Sequence, residues 1–416
     1  QDMEMEYLTV KGGGDTCTAS VKYRPDRSKP ETVETLFTLA GKTATPFTPE
    51  PAEPARKPRK PAATPKPDLV TSLAHPTSEG KAQVWFRLPG ADWDHVDLAG
   101  IQTMDWKFVD LLVMDDGRLI GAPNAYEDIF LYDPATNKVS IIGKATMSMG
   151  EMETVGGKVY MCGYPGTIIH EYDPARPWTY FTTTPTRKEP PLESPESNPR
   201  FCARLGEICL THHVEGTAVG ADGFIYVGGH AERLNVGGGL MWWDPVNRKA
   251  GGIREPFELQ DCNDICTARG GALIVYSSHP VSDPRQQKPK PETAKLFVLD
   301  VARKEIVDEL VPVPGARGCG PVVGIGDLVY GVATQGGKDG GTYLFYVVDL
   351  QTRQVRHTAA VPARVVELVP GPDGKIYAFV ADTLTRIDPQ TFAFAPLGLV
   401  PNAERMAFRG NELYLT

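Results

Sequence analysis

Long apolar runs, an excess of positive charge and metal-type cysteine spacings are all missing from this sequence of 416 residues. No stretch approaches the roughly 18 continuous apolar residues needed to span a bilayer, so we expect no membrane span. The formal net charge of −9 argues against a nucleic-acid-binding protein, because phosphate binding needs a basic surface. The 41% hydrophobic content is still sufficient for a packed core.

The seven cysteines show neither a zinc-ribbon spacing nor the CxxCH stretch that attaches haem. Cys202 with Cys209, or Cys262 with Cys266, could form a disulfide in an oxidising compartment, and the odd total leaves at least one free thiol. The sequence begins at Gln1 without a basic-then-apolar leader. This beginning indicates either a processed secreted product or a shortened form of a longer protein.

One short motif recurs seven times along the chain. Each copy places a Gly- or Asp-containing tight turn before a short apolar run, and such turns join antiparallel strands because their central residues accept positive φ. The copies are DDGRLIG (Asp115), GGKVYMCG (Gly156), ADGFIYVGG (Ala221), GGALIVYSS (Gly270), GDLVYGV (Gly326), PDGKIYAFV (Pro372) and RGNELYLT (Arg409). Each copy therefore predicts a β-hairpin.

The first six hairpins are each followed by a third apolar run that ends in an aspartate. An aspartate readily starts a turn, and the proline after several of them fixes φ at the corner. These aspartates are Asp133, Asp173, Asp244, Asp300, Asp349 and Asp388. A fourth short strand follows most of them, and four strands in roughly 40 to 50 residues is the period of a propeller blade. The pattern predicts an all-β protein, a seven-bladed β-propeller.

The seventh hairpin runs into Thr416, so its third and fourth strands are missing. Because closing a ring removes exposed sheet edges, we expect these strands to come from upstream of the first hairpin. KAQVWFRLPG, from Lys81 to Gly90, is an isolated strand-like run and is the candidate. The propeller is thus predicted over residues 81–416, closed by N- and C-terminal strands in one blade. A pair of β-sandwiches is the alternative, although sandwiches seldom repeat one turn signature in every unit.

Two further segments precede the predicted propeller. Residues 1–44 contain the strand-like runs EMEYLTVK and CTASVKYRP, which indicate a small β extension or the end of a preceding domain. Residues 45–67 are Pro-rich with interspersed charge, which favours a semi-rigid linker. An SH3-type partner protein could instead bind this Pro-rich segment. This organisation also fits a subunit of a larger assembly or a domain of a longer chain.

Two insertions interrupt the repeat. A long segment between Asp173 and Asp244 is predicted to lie between the second and third blades, and His279 to Lys295 separates the two middle strands of the fourth. Long irregular loops in compact folds are usually functional or disordered. Connections between blades and connections between second and third strands emerge on one face of a propeller. We therefore expect any chemistry on this insertion-bearing face.

The densest cluster of reactive side chains on that face comes from THHVEG (Thr211 to Gly216) and GGHAERLNVGGG (Gly228 to Gly239). One histidine could act as a base, with Glu215 orienting it and Arg233 neutralising a ligand carboxylate. The structural alternative is that the histidines satisfy backbone groups and Glu215 pairs with Arg233. The predicted catalytic residues are His213, His230, Tyr164 and Arg233. The predicted substrate-binding residues are Tyr126, Arg204, His212, Glu215, His279 and Arg317.

Metal and nucleotide sites are less favoured by the sequence. HHVE with His230 offers ligand atoms for zinc or manganese, but adjacent histidines lack a further fixed spacing, so we expect no metal and no other cofactor. The VGGG run has no helix N-terminus beside it to complete a phosphate site. DCNDIC (Asp261 to Cys266) has paired carboxylates that could face the central channel, and an inter-blade turn is the alternative.

Three of the units resemble those of secreted bacterial propellers of the YncE and quinoprotein-like repeat superfamily. They are GKVYMCGYPGTIIHEYDPARPW, DGFIYVGGHAERLNVGGGLMWWDP and DGKIYAFVADTLTRIDPQT. The resemblance covers residues 81–416 and implies the fold and a secreted or periplasmic location, while such propellers include binding proteins, scaffolds and enzymes. Quinoprotein dehydrogenases usually show eight Trp-docked blades with a calcium-bound cofactor, so seven units without a repeated Trp motif disfavour quinone binding.

The predicted architecture is also similar to that of seven-bladed polysaccharide lyases, which act on uronic acids with His and Tyr as base and acid and Arg at the carboxylate. β-Elimination needs those three roles, because neutralising the carboxylate acidifies the α-proton that the base removes. We therefore expect an extracellular carbohydrate-active propeller that binds or cleaves an acidic polysaccharide. His213 or His230 would be the base, Tyr164 or Tyr126 the acid, and Arg233 or Arg204 the carboxylate partner. The alternative is a non-catalytic propeller that binds glycan or protein partners through the same face.

Overall fold

The computed structural model describes residues 4–12, 16–24, 33–40, 43–47, 70–74, 81–87, 93–102, 108–123, 128–180, 192–231, 235–257, 259–283, 289–336, 341–400 and 403–416. The strands up to Gln102 belong to one compact unit, and those from Phe108 onward belong to a second. Within the described residues, no helix has the length and apolar character required to cross a membrane.

The first unit consists of two antiparallel sheets. The four-stranded sheet contains β1 (Glu4–Gly12), β2 (Thr16–Arg24), β3 (Val33–Ala40) and β4 (Thr43–Phe47). The three-stranded sheet contains β5 (Val70–Ala74), β6 (Lys81–Arg87) and β7 (Trp93–Gln102), with β6 in the middle. The predicted β extension is therefore a sheet of four strands rather than two. Residues 48–69, which hold most of the predicted linker, lie outside the described residues.

The second unit is a β-propeller with six four-stranded blades, each antiparallel and with its strands in sequence order. Blade 1 contains β8 (Phe108–Val113), β9 (Leu119–Pro123), β10 (Asp128–Asp133) and β11 (Lys138–Lys144). Blade 2 contains β12 (Ser148–Val155), β13 (Lys158–Tyr164), β14 (Ile168–Tyr172) and β15 (Arg200–Arg204), and the short helix α1 (Gly206–Cys209) follows it. Blade 3 contains β16 (Thr211–Val219), β17 (Ile225–Ala231), β18 (Gly238–Asp244) and β19 (Lys249–Ile253).

Blade 4 contains β20 (Gln260–Ala268), a single 3₁₀ turn (Arg269–Gly271), β21 (Leu273–Pro280), β22 (Leu296–Asp300) and β23 (Glu305–Leu310). Blade 5 contains β24 (Val322–Ile325), β25 (Leu328–Gln335), β26 (Thr342–Asp349) and β27 (Gln354–Val361). Blade 6 contains β28 (Val365–Pro370), β29 (Ile376–Val380), β30 (Thr383–Ile387) and β31 (Phe394–Leu399). The C-terminal hairpin contains β32 (Met406–Arg409) and β33 (Glu412–Leu415), which form a separate two-stranded sheet.

The C-terminal hairpin closes the ring by packing between blades 6 and 1. Its β32 lies beside both β28 and β8, the first strands of those blades. The ring of Phe408 packs edge-on against Tyr377 of blade 6 with centroids 4.8 Å apart, and Ala407 joins an apolar cluster with Leu111 and Leu119 of blade 1. In the part of the chain that the structure describes, the seventh position of the ring therefore holds two strands instead of a complete blade.

The prediction of seven complete blades closed by an N-terminal strand is wrong. The propeller has six complete blades, and the strand at Lys81 pairs within the first unit. There, Trp85 lies opposite Ser72 on one side and His95 on the other, whereas Leu415 lies opposite Met406. An apolar run predicts that a strand forms but not which strands it pairs with. The two strands that pair with β6, β5 and β7, were not predicted from the sequence. The propeller unit consequently starts near residue 107 and not at residue 81.

The predicted turns are confirmed in all six complete blades and in the C-terminal hairpin. Each tight turn between first and second strands contains a glycine with positive φ, for example Gly117 at 81° and Gly374 at 71°. The aspartates that end the third strands accept backbone N–H groups two or three residues ahead, as Asp244 does from Val246 at 3.0 Å. Local turn chemistry thus sets the length of every blade.

A tyrosine on the second strand fills the space between blades in most units. Tyr160, Tyr226, Tyr276 and Tyr330 are almost completely buried, and each phenol donates a hydrogen bond. A buried Tyr stabilises a core by its large apolar area only when its hydroxyl group is satisfied. The packing clusters accordingly join residues of adjacent blades rather than residues of one blade.

In blades 3, 4 and 5, the turn between third and fourth strands connects the blade to the preceding one. The last residue of each of these turns has positive φ, and its side chain crosses the blade boundary. In this way Arg248 pairs with Glu171 at 3.3 Å, Arg353 pairs with Asp308 at 2.8 Å, and Lys304 pairs with Asp222. These inter-blade pairs lie at the ends of the blades that carry the aspartate turns.

Two other sequence-based predictions need correction. The first insertion lies mostly inside blade 2, between β14 and β15, because Arg200–Arg204 is the fourth strand of that blade and not part of a loop. The second insertion separates β21 from β22, as predicted. Neither proposed disulfide forms, since all cysteines whose side chains the structure describes are free thiols.

Candidate functional site

Four ring side chains from blades 2 and 3 form a continuous group, which we call the His/Tyr row: Tyr164, His212, His213 and His230. His213 is stacked between two neighbours, with centroid distances of 4.5 Å to Tyr164 and 4.5 Å to His230. His212 contacts Tyr164 edge-on at 4.6 Å. The row runs from the end of β13 across the start of β16 to the end of β17, on the face where we expected chemistry.

Backbone contacts hold the row in place. The N–H groups of Gly166 and Thr167 donate to the His212 carbonyl at 3.0 and 3.2 Å, so the loop of blade 2 is fixed against the first strand of blade 3. His213 lies directly opposite His230 in the β16–β17 ladder. A Cβ at Gly229 would lie 2.6 Å from the His213 carbonyl oxygen, so this close strand approach requires glycine.

The pKa values of the two stacked histidines are shifted in opposite directions. Glu215 Oε1 lies 2.7 Å from His230 Nδ1, and this hydrogen bond raises the pKa of His230. Burial lowers the pKa of His213, and the neighbouring His230 lowers it further. Two imidazolium ions stacked at 4.5 Å would repel each other, which opposes protonation of both rings at once. The directions of the two pKa shifts therefore predict that His230 is protonated before His213 as the pH falls.

Blade 4 extends the row with Asp261 and His279. Their side chains approach to 3.8 Å, and burial raises the pKa of Asp261 while the nearby His279 and His230 oppose that shift. Asp261 Oδ1, His279 Nδ1 and His212 Nδ1 are buried and have no hydrogen-bond partner among the described residues. These are three of the six such atoms in the described chain. Buried polar atoms are normally paired with protein groups or ordered water, so their concentration here marks a candidate place for bound water or a ligand.

The remaining predicted site residues fall in different places. Arg204 lies beside the row, since its guanidinium donates to the Pro165 carbonyl at 3.3 Å. Arg317 is exposed on the connection before blade 5, and it forms no hydrogen bond, ion pair or ring contact with the described residues of the row. Tyr126 and Arg233 lie outside the described residues. Glu215 is hydrogen-bonded to His230, and the structural alternative in which Glu215 pairs with Arg233 stays a prediction because Arg233 lies outside the described residues.

A second polar region lines the central channel, a cavity of about 930 Å³ between the first strands of the blades. Its acidic side chains are Asp110, Glu151, Glu153, Glu215, Asp264 and Glu367. Asp264 belongs to the DCNDIC segment, which forms strand β20 and not an inter-blade turn. The strong polarity of this channel was largely missed by sequence reasoning, which considered only the DCNDIC carboxylates for it. The sequence does contain a signal for these channel carboxylates, namely one acidic residue within an otherwise apolar first strand, as in FVDLLV and VVELVP.

Four of these carboxylates connect one blade to the next. Each sits where the first strand has a register shift, and it accepts a backbone N–H from the first strand of the following blade or hairpin. The pairs are Asp110 with Met152 at 2.6 Å, Glu151 with Thr217 at 2.5 Å, Asp264 with Val322 at 2.8 Å and Glu367 with Met406 at 2.9 Å. Arg405, just before β32, donates to the Val109 carbonyl of blade 1. Among the described residues, contacts of this kind connect five of the seven boundaries in the ring, all except those between blades 3 and 4 and between blades 5 and 6.

Burial dominates the electrostatics of the channel. It raises the pKa of Asp110 to about 7 and the pKa values of Glu153 and Glu367 to about 8, with further increases from neighbouring carboxylates. Arg405 opposes these shifts at Asp110 and Glu367. No group of His, Cys, Asp and Glu side chains in the described part of the chain has the geometry to hold a metal ion.

Comparisons with known proteins give the fold. Hydrazine synthase of Kuenenia stuttgartiensis is similar with 12% sequence identity and a TM-score of 0.53, over 77% of this chain and 98% of that chain. The WD40 β-propeller domain of Doa1 is similar with 10% identity and a TM-score of 0.52, over 76% of this chain and 90% of that chain. A chain of the mitotic checkpoint complex matches with 9% identity and a TM-score of 0.50, over 88% of this chain and 96% of that chain.

No protein-family model matches the sequence, and no curated protein matches it. Because the identities to solved structures are so low, these similarities support the β-propeller fold and carry no information about ligand or activity. Kinship with the YncE and quinoprotein-like superfamily is consequently not shown. The chain is a β-propeller with six complete blades and a C-terminal hairpin in its ring.

Proposed function

We propose that the propeller is a glycan-binding module and that its ligand docks on the His/Tyr row. The observation that carries this proposal is the set of three buried, unpartnered polar atoms at His212, Asp261 and His279. Leaving a buried polar atom without a hydrogen bond costs about 1–3 kcal/mol, which a ligand would recover on binding. The proposal includes the secreted or periplasmic location expected from the sequence.

The chemistry of the row suits a hydroxyl-rich ligand. The stacked rings of Tyr164, His213 and His230 cover one another's faces, so a ligand meets ring edges that carry a phenolic hydroxyl and imidazole nitrogens. Each imidazole presents a donor or an acceptor according to its tautomer, and the carboxylates of Glu215 and Asp261 accept hydrogen bonds. Sugar hydroxyls both donate and accept, so one glycan can satisfy this mixed set of atoms.

Binding of the full chain to a panel of neutral and uronic-acid glycans tests the proposal. Tyr164→Phe keeps the ring and removes the hydroxyl, and His213→Phe keeps the stack and removes the nitrogens. Each substitution is expected to weaken binding by about 3- to 10-fold, the effect of one or two lost hydrogen bonds. His357→Phe, in blade 5, is the matched control and should bind like the unaltered protein. The absence of any bound glycan, or equal binding by all three variants, would overturn the proposal.

A second candidate is β-elimination of a uronic-acid glycan, favoured by the direct stacking of Tyr164 on His213. His213 stays neutral at neutral pH because its pKa is lowered, so it can accept the α-proton. Tyr164 would protonate the leaving oxygen, and Arg204, which lies against Pro165, would neutralise the carboxylate. Electrons from the broken C–H bond form the new C=C bond as the glycosidic C–O bond breaks.

The appearance of absorbance from unsaturated sugar ends distinguishes this candidate from simple binding. With catalysis, His213→Phe should abolish the signal while His357→Phe retains it. Glycan binding without any unsaturated product would reject the catalytic candidate and keep the binding module. Activity that survives loss of both His213 and His230 would show that the row does not carry the chemistry.

A further inference from the structure

Three aromatic side chains of blade 3 surround the ammonium group of Lys304, which belongs to blade 4. The Lys304 Nζ atom lies 4.4 Å from the ring centroid of Phe224, 5.0 Å from that of Tyr226 and 5.6 Å from that of Trp242. All three distances fall within the roughly 6 Å over which a cation is attracted to an aromatic face. The same Nζ also contacts the Asp222 carboxylate and the Tyr226 hydroxyl.

The walls of this cage are fixed without any help from Lys304. A Cβ at Gly251 would lie 2.5 Å from Cε2 of Trp242, and a Cβ at Gly220 would lie 2.6 Å from Cε2 of Tyr226, so each ring rests directly on a glycine of blade 3. The Tyr226 hydroxyl donates to Asp222 at 3.0 Å, and the Phe224 N–H donates to the same carboxylate at 3.2 Å. The cage is thus preorganised by one blade.

The equivalent turn residues of blades 5 and 3 show what distinguishes this arrangement. Arg353 has the same positive φ and pairs with Asp308 of blade 4, and its guanidinium forms no cation–aromatic contact among the described residues. Arg248 lies over a single ring, that of Trp243, at 5.5 Å. An inter-blade ion pair therefore does not need aromatic walls. Three rings and a carboxylate are, in contrast, the chemistry that recognises quaternary and methylated ammonium groups.

We propose that blade 3 carries a second binding site, for quaternary or methylated ammonium groups, and that Lys304 occupies it as an intramolecular ligand. A ligand from outside must displace Lys304, whose side chain is about a quarter exposed and whose Nζ also donates to the Val301 carbonyl at 3.0 Å. The site is distinct from the His/Tyr row, because it lies at the opposite, aspartate-turn ends of the strands.

Chemical rescue of Lys304→Ala tests this inference. Removing the side chain empties the cage, so the melting temperature of the variant should fall and then rise again in tetramethylammonium chloride, relative to sodium chloride at equal ionic strength. The rise should saturate at a concentration on the order of millimolar, as expected for several cation–aromatic contacts. Trp242 fluorescence should change over the same concentration range. The unaltered protein should respond much less, because Lys304 competes for the cage.

Two controls make the result specific. The double variant Lys304→Ala with Trp242→Ala should lose the rescue, and Arg353→Ala should show none. If Lys304→Ala does not fold in sodium chloride, its refolding yield in the two salts gives the same comparison. Equal responses of Lys304→Ala to the two salts, or rescue that persists without Trp242, would overturn the inference.

Discussion

Replacing Asp110 by Asn tests whether a channel carboxylate that connects two blades also lowers the stability of the protein when it is ionised, because its charge is then buried. Asparagine keeps one oxygen, which can accept the Met152 N–H now 2.6 Å from Asp110. It removes the titratable group and also the second oxygen, which accepts the Leu111 N–H at 2.8 Å. The pKa of Asp110 is raised from 3.8 to about 7, mainly because the carboxyl group is buried and secondarily because Glu151 lies nearby. The folded protein therefore binds this proton more tightly than the unfolded chain does.

The sign and size of the effect follow from linkage. A carboxyl group with a raised pKa contributes stability that is fully present below its unfolded value of 3.8 and is lost as the pH rises through about 7. At about 1.4 kcal/mol for each unit of pKa, the loss is about 4 kcal/mol by pH 8. Asp110→Asn removes this pH-dependent loss but also the Leu111 hydrogen bond, which costs about 1–3 kcal/mol at every pH. The free energy of unfolding of the variant should therefore change less between pH 4 and pH 9 than that of the unaltered protein.

Urea unfolding between pH 4 and pH 9 measures the difference. The free energy of unfolding of the unaltered protein should fall as the pH rises, and it should continue to fall to pH 9 because the pKa values of Glu153 and Glu367 are about 8. Glu305→Gln, an exposed carboxylate paired with Arg303, is the matched control and should leave the profile unchanged. Parallel profiles for Asp110→Asn and the unaltered protein would refute the reasoning.

Two further predictions concern the same ring of first strands. Gly216→Ala would place a Cβ 2.5 Å from the Ile265 backbone nitrogen, so it should lower the free energy of unfolding by about 1–3 kcal/mol. Gly398→Ala, with open space around it, is the control and should change this free energy little. Equal effects of the two substitutions in urea titrations would contradict the close packing of blades 3 and 4. Arg405→Gln removes the cation that opposes the raised pKa values of Asp110 and Glu367. The substitution should therefore destabilise the protein by about 3 kcal/mol at pH 8 and by less at pH 5. A loss of stability that does not depend on pH would be inconsistent with this role of Arg405.

The blade repeat could be predicted because its signals are local. Gly117 and Asp133 each act within a few residues, by accepting positive φ and by capturing nearby N–H groups. Ring closure could not be predicted in the same way, because pairing partners depend on contacts across the whole chain. The run at Lys81 indicates a strand equally well whether it pairs with β33 or, as found, with β5 and β7.

The candidate site was partly predictable for a similar reason. The topology of a propeller places the end of β13, the start of β16 and the end of β17 on one face, which brings Tyr164, His213 and His230 together. The inter-blade role of Asp110 could not be inferred, because its partner Met152 is 42 residues away and no local pattern connects them. The cage around Lys304 likewise depends on two blades meeting.

A crystal structure of the protein with a glycan identified by the binding panel is the most direct test of the account. We expect sugar hydroxyl groups within hydrogen-bond reach of His212 Nδ1 and Asp261 Oδ1, two of the three buried atoms near the His/Tyr row that have no hydrogen-bond partner in the described chain. A glycan bound elsewhere on the propeller, with these atoms still unpaired, would contradict the assignment of the His/Tyr row as the ligand site.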